Sequence, residues 1–249
     1  MMDPQEGLMT EDIAPSRIAK NSLLLSILRH SHEEMAEINE VAQDSRLSAD
    51  DVGLIIKNLE KGQLISIEKS GGILADTTQR LRIAFELVKT GSDIERIFKY
   101  LSWQEFEEAS ARILEESGYA VHRRVRFRNE ARKFEIDLLG LRQPLILCLD
   151  CKHWMRGSQR SPLKKAIGEQ VIRVEGFAHF VRANRERFHM ETWKKAKLLP
   201  VMIVLLDVPL QVYEGVPAVP ILRLGNFLYE LPAALDILNS TDVELPNCI

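Results

Sequence analysis

Residues 134–154, FEIDLLGLRQPLILCLDCKHW, constrain the fold more than any other stretch of the chain. Two short apolar runs flank a turn at Leu141-Arg142-Gln143-Pro144, the pattern of a β-hairpin. Side chains alternate across a strand, so Asp150 and Lys152 project from one face of the second strand. Asp137 stands in the facing strand, at a distance from the turn that sets it beside Asp150. A carboxylate and an ammonium on a strand otherwise built from Leu145, Ile146, Leu147 and Leu149 are expensive to bury unless paired, metal-bound or reached by water. Two carboxylates on adjacent strands make an oxygen-rich pocket for a hard divalent cation, and Lys152 adds a positive charge beside it. That set suits metal-assisted hydrolysis of a phosphodiester. The plainer alternative is a solvated hairpin with Lys152 in a cross-strand ion pair worth under about 1 kcal/mol. The apolar neighbours argue against it.

Upstream, LSWQEFEEASARILEESGYAV reads as a helix ending at Gly118-Tyr119. Most of its glutamates must face solvent. Glu107 is singled out because helical spacing sets Ala111 and Leu114 on its face, and Glu108 is the fallback. The ordered set of helix glutamate, strand aspartate and strand Asp-x-Lys resembles the PD-(D/E)XK nuclease superfamily, in particular the restriction-endonuclease-like branch of Mrr-type enzymes and archaeal Holliday-junction resolvases. One departure is Ile136, which stands where the motif's proline would be. The resemblance covers about residues 102–235. It implies Glu107, Asp137, Asp150 and Lys152 as catalytic residues, with Asp137, Asp150, the Cys151 carbonyl and Glu107 around Mg²⁺, for which Mn²⁺ would substitute. It also implies 5′-phosphate and 3′-hydroxyl products, and a polar residue from the helix after the lysine, for which Gln170 is the candidate.

Cys148 and Cys151 form a CxxC, but residues three apart on a strand face opposite sides and cannot share a metal. Two core thiols in a reducing compartment are the simpler reading. His153 could touch a phosphate or a leaving group, or be a structural imidazole at the strand's end.

The formal net charge of −3 conceals a strong asymmetry. Residues 1–60 carry −7, residues 61–121 carry −2, residues 122–197 carry +11 and residues 198–249 carry −5. The basic runs RRVRFRNEARK (123–133) and MRGSQRSPLKK (155–165) bracket the acidic motif. Basic residues flanking a metal site are what a polyanion needs, since phosphate neutralisation dominates nucleic-acid affinity. Arg123, Arg124, Arg126, Arg128, Arg156, Arg160, Lys164 and Lys165 are the candidate nucleic-acid contacts, set against the alternative of plain solvated faces. No apolar run reaches membrane-spanning length, and MMDPQEGLMTEDIAP lacks the pattern of a signal peptide, so a cytoplasmic protein is expected.

The first part of the chain reads differently. Helix patterns at Asn21–Arg29 and around Met35–Ala42 precede a third helix opened by Ser48-Ala49-Asp50-Asp51 and running through Glu60. LISIEKSGGILAD then gives two short strands around Ser70-Gly71-Gly72. Three helices and a hairpin resemble a winged helix-turn-helix. Its third helix offers Asp50, Asp51 and Glu60 against Lys57 and Lys61, a poor charge balance for groove binding, so a protein partner competes with DNA as its target. Helices at Thr78–Lys89 and Asp93–Tyr100 follow.

Beyond the basic block, Leu163–Val181 is helical by pattern, residues 198–207 and 216–224 are strands, and Asn226–Leu238 is a closing helix. The expected fold is α/β: a restriction-endonuclease-like mixed sheet with helices on both faces. The domains would be a winged helix over 1–76, a helical linker over 77–101 and a nuclease domain over 102–249. The function expected is a metal-dependent DNA endonuclease, alone or as a homodimer. An RNA-directed nuclease and a nuclease-fold DNA-binding protein without catalysis are the alternatives.

Overall fold

Residue 101 divides the chain into two units, 1–101 and 102–249. The computed structural model describes residues 16–32, 35–129, 132–152, 160–205 and 211–245.

In the first unit, side-chain caps set every helix start but one. The Ser16 hydroxyl accepts from Ala19 N at 3.1 Å to open α1 (Arg17–His30). α2 (Ile38–Ser45) begins later than its sequence pattern, because the Ala36 backbone is paired in both directions with Ile73. Ser48 caps α3 (Ala49–Lys61), with Asp50 and Asp51 at the positive end of the helix dipole. β1 (Ser66–Ile67) and β2 (Ile73–Leu74) form a hairpin whose turn passes through Gly71 at φ +92°, a conformation that favours glycine. α4 (Thr77–Lys89) starts at an Asp76–Gln79 capping box, packs against α1, and is followed by α5 (Ile94–Phe98). Leu23, Leu24, Ile27 and Leu28 of α1 and Val52, Ile55, Ile56 and Leu59 of α3 are buried, as helical periodicity requires.

The second unit is a mixed sheet between helices. α6 (Trp103–Glu116) opens on a Ser102–Glu105 capping box. It ends at Gly118 (φ +81°), where Tyr119 N–H reaches back to the Leu114 carbonyl at 3.0 Å. β3 (Ala120–Asn129), β4 (Arg132–Arg142) and β5 (Leu145–Lys152) form an antiparallel meander. Gln143-Pro144 is the whole β4–β5 turn, pairing Arg142 with Leu145. α7 (Arg160–Ala183) crosses to β6 (Lys195–Val204), which lies parallel to β5. β7 (Val212–Tyr213), β8 (Val216–Pro220), α8 (Leu224–Ala234) and β9 (Thr241–Glu244) complete the unit. Among the described residues the sheet has seven strands in the order β3-β4-β5-β6-β8-β7, with β9 also on β6.

Pro200 sits in the middle of β6, where a proline would ordinarily cost a ladder hydrogen bond. One edge of β6 pairs with β9 up to Leu198 and with β8 from Met202 onward. Pro200 falls in the gap between these two partners. Lys197 N–H points the other way, to the Pro144 carbonyl at 2.8 Å, so strand alternation turns the missing N–H of residue 200 into that gap.

Val174, Phe177, Ala178 and Val181 of α7 pack on one face of the sheet against Val125, Phe127, Leu139, Ile146, Cys148 and Leu198. α6 lies against β3 and β4 and also meets α8. Gly140 lets it come close: a Cβ there would stand 3.3 Å from Leu114 Cδ2 and 3.4 Å from Tyr119 Cδ1. The strand expected over 216–224 is shorter, because the chain turns at Ile221–Arg223 and enters α8 at Leu224.

Candidate active site

The β4–β5 ladder ends at Leu138–Leu149. Continued by one pair, the register would set Asp137 opposite Asp150, and there the strands stop exchanging backbone hydrogen bonds. Asp137 Oδ2 instead accepts the backbone N–H of Cys151 at 2.8 Å. Both carboxylates line one cavity of about 330 Å³ together with Lys152, Trp103, Glu169 and Arg173. Asp150 is 3% exposed and Asp137 9%. Such burial demands compensation, and Asp150 has it on both oxygens: Lys152 Nζ lies 2.9 Å from Oδ2 and Arg173 Nη1 2.9 Å from Oδ1.

Asp137 is less well compensated. Burial first, and the negative charge of Asp150 second, push its carboxyl up to about 6, against the pull of the Cys151 N–H, Lys152 and Arg173. Glu107 is buried in α6 and does not line the cavity. Desolvation and the nearby charge of Asp137 raise its carboxyl above the usual range, and Arg124 Nε, 3.4 Å from Oε2, offsets only part of this. Glu107 Oε1 is buried with no hydrogen-bond partner among the described residues. Glu108, by contrast, is partly exposed and pairs with Arg112 and Arg123.

Arg124 has φ +50°, a left-handed conformation that costs a non-glycine residue about 1 kcal/mol or more. The β3–β4 ladder skips the pair it would make with Asp137. Its guanidinium reaches Glu107 and lies 6.0 Å from the centre of the Trp103 ring. Trp103 Nε1 in turn donates to the Cys151 carbonyl at 3.4 Å.

Gln170 of α7 is fully buried and donates from Nε2 to the Cys148 carbonyl at 2.7 Å, while its Oε1 accepts from Arg173 Nη1. Cys148 belongs to the α7-facing core, whereas the Cys151 thiol meets Ser110 of α6. Burial pushes both thiols well up, leaving them protonated.

The basic candidates fall into distinct groups. Arg123 pairs with Glu108 and Glu115, and Arg126 with Glu135, while Arg128, Lys164 and Lys165 are exposed. Arg156 and His153 lie outside the described residues, as does the side chain of Arg160. Arg132, Lys133 and Arg173 also line the cavity; the first two end the basic run 123–133 without being among the named contacts, and Arg173 lies outside both runs. Arg173 carries a signal nonetheless: it is three residues after Gln170 and so on the same helix face.

Among the described residues no three acidic, imidazole or thiol side chains are placed to share one metal ion. The donors that line the cavity side by side are two carboxylates, and the Cys151 carbonyl follows Asp150 by one residue. The raised carboxyl of Asp137 is a negative charge that a cation would relieve, so these residues fit a hard divalent ion.

Two carboxylates and a lysine thus share one cavity on an α/β sheet. Residues 98–208 match the family described as restriction endonuclease, Mrr_cat. The chain belongs to that family through a restriction-endonuclease-like catalytic domain, which sets it among nucleases of the restriction-endonuclease type. Domains of this kind generally use divalent metal ions. An uncharacterized protein of Archaeoglobus fulgidus is 32% identical over 131 residues, 53% of this chain and 92% of that protein. A solved structure, protein VC1899 from Vibrio cholerae, is 10% identical with a TM-score of 0.32, too low to bear on the fold. The match covers 90% of this chain, which spans 58% of the length of VC1899. No helix among the described residues is long and apolar enough to cross a membrane.

Proposed function

We propose that the protein is a Mg²⁺-dependent endonuclease acting on DNA, with Mn²⁺ able to replace Mg²⁺. The observation that carries this reading is the meeting of Asp137, Asp150 and Lys152 in one cavity within the family-matched segment. Asp137, Asp150 and the Cys151 carbonyl would hold the cation. Glu107, buried and close enough to feel the charge of Asp137, would act on the cation indirectly through water. When bound, the cation supplies Lewis-acid chemistry, polarising a phosphoryl oxygen and lowering the pKa of a water.

The chain's own groups do the rest. Lys152 is held by Asp150 at 2.9 Å and is 32% exposed at its side chain, so it can orient the attacking water and stabilise charge on the pentacovalent phosphorus. Water adds to phosphorus and releases a proton to solvent, the P–O3′ bond breaks, O3′ takes up a proton from solvent, and the products carry a 5′-phosphate and a 3′-hydroxyl. Arg128, Arg132, Lys133, Lys164 and Lys165 supply phosphate contacts, and Arg156 and Arg160 extend that basic set in sequence.

Residues 1–76 act as a winged helix-turn-helix module. Its support is the order of three helices and a hairpin, with Ala36 making an isolated bridge to Ile73 of the hairpin. The acidic start of α3 favours a protein partner or a second copy of the chain over groove reading. A cytoplasmic setting suits the two buried free thiols.

The test is incubation of wild type and Lys152→Ala with duplex, single-stranded, branched, methylated and RNA substrates in Mg²⁺ or Mn²⁺. Cleavage of DNA by wild type, lost in the variant, supports the reading. Binding by both without cleavage turns it into a nucleic-acid-binding protein, and cleavage of RNA alone changes the substrate.

A further inference from the structure

Asp150 is the most heavily compensated carboxylate of the site, and one of its two partners has no part in the hydrolysis itself. Lys152 comes from the same strand. Arg173 comes from α7, and its position is built. Gln170, fully buried one helical turn earlier, is fixed by its 2.7 Å bond to the Cys148 carbonyl and presents Oε1 to Arg173 Nη1. The same Nη1 donates to Asp150 Oδ1 at 2.9 Å. The guanidinium is therefore braced by Gln170 on one side and turned towards Asp150 on the other. Its side chain is 19% exposed and lines the cavity. No hydrogen bond from Nε or Nη2 to a described residue accompanies this contact. An arginine does not lose its proton, so the positive charge it brings is permanent.

We propose that Arg173 is a positioning residue that stands in for the divalent cation at Asp150, and that cation binding requires it to release the carboxylate. The inference rests on the metal-binding reading of Asp137 and Asp150. With Oδ1 held by Arg173 and Oδ2 by Lys152, Asp150 has no oxygen lacking a charged partner. A cation entering beside Asp137 competes with one of them for Asp150 and is repelled by its charge. Lys152 is tied to the same strand and is needed at the scissile phosphate. Arg173 reaches in from the helix, and its long side chain can swing away while Gln170 stays anchored. Until then it keeps two buried carboxylates on neighbouring strands from repelling each other unrelieved. Its permanent charge lowers the affinity for a dication and so sets the concentration at which the site fills.

An ordinary structural ion pair predicts the opposite. Removing it would loosen Asp150 and weaken cation binding. The experiment is Mn²⁺ binding to the full-length protein without nucleic acid, followed by electron paramagnetic resonance, for wild type, Arg173→Gln and Arg173→Lys. Arg173→Gln should bind Mn²⁺ about tenfold more tightly, as loss of one nearby positive charge requires. Arg173→Lys, which keeps the charge, should stay near wild type. Unchanged or weaker binding by a folded Arg173→Gln overturns the inference alone. A wild type that binds no Mn²⁺ overturns it together with the metal-binding reading. Should Arg173→Gln fail to fold, arginine side-chain ¹⁵N spectra of wild type give the answer, with Arg173→Lys supplying the assignment. The Arg173 signal should shift on saturation with Mg²⁺, and a signal that stays in place contradicts the proposal.

Discussion

Asp137 Oδ2 accepts the backbone N–H of Cys151 at 2.8 Å, so a side chain of one strand takes over where the backbone ladder between the two strands has ended. The bond holds Asp137 beside Asp150 and leaves the two strands free to part around the cavity. It also keeps a carboxylate in a place where burial and a second carboxylate oppose its charge.

That opposition predicts a pH-dependent stability. Asp137 titrates at about 6 in the folded protein and near the ordinary aspartate value of 3.8 when unfolded. Between these values the folded state binds the extra proton, so this contribution to stability is complete below pH ~4 and is lost as pH rises through ~6. Asp137→Asn keeps an acceptor for the Cys151 N–H without the charge. In metal-free buffer it should exceed wild type by roughly 1–3 kcal/mol above pH ~7 and match it below pH ~4. Urea denaturation at the two pH values checks this, and equal stability at both would contradict it.

The same proton competes with the cation. Mn²⁺ affinity should be nearly constant above pH ~7 and fall by up to about tenfold per unit as pH drops below ~6, since a ligand must be deprotonated to bind. Titrations across that range measure it, and a flat profile would remove Asp137 from the ligand set.

How far this site is legible in the sequence follows from which interactions are local. Alternation places Asp150 and Lys152 on one face of β5, and a two-residue turn at Gln143-Pro144 fixes the distance to Asp137. Helical spacing likewise groups Glu107 with Ala111 and Leu114, all of them buried. Helical spacing puts Arg173 on the Gln170 face, but its contact with Asp150 depends on how α7 is laid across the sheet, a packing result that spacing does not encode. Arg124 reads in sequence as a nucleic-acid contact; its left-handed backbone and its contacts with Glu107 and Trp103 are tertiary features that the sequence pattern does not show. β9 escapes the sequence pattern for another reason: Thr-Asp-Val-Glu is short and mostly polar, and it becomes a strand only because β6 offers it a free edge.

The ion pairs of β3 divide the basic residues by expected effect. Arg123 and Arg126 are already paired with Glu108, Glu115 and Glu135, whereas Arg128 makes no ion pair with a described residue. Neutralising Arg128, Arg132 and Lys133 should lower the salt dependence of DNA binding by about one unit of slope per lost phosphate contact. Neutralising Arg123 and Arg126 should change it by less than half as much. Affinity measured over a salt series decides, and equal effects would mean that the pairs open on binding.

Residues 102–249 hold the whole sheet and its flanking helices, so a protein cut before Ser102 should fold and retain cleavage of a simple duplex. Removal of the first unit should show in oligomeric state or targeting, by sizing and by choice among substrates. A folded fragment of unchanged oligomeric state that neither binds nor cuts would make the first unit a primary DNA-binding element.

Asp150, at the centre of the proposed site, should serve chemistry and not substrate affinity. The most direct test is DNA binding and Mg²⁺-dependent cleavage, measured on one duplex for wild type and Asp150→Asn. Losing a negative charge beside a phosphate-binding surface should leave affinity equal or higher while cleavage disappears. An Asp150→Asn protein that still cuts, or a folded one that loses binding together with cleavage, would contradict that role.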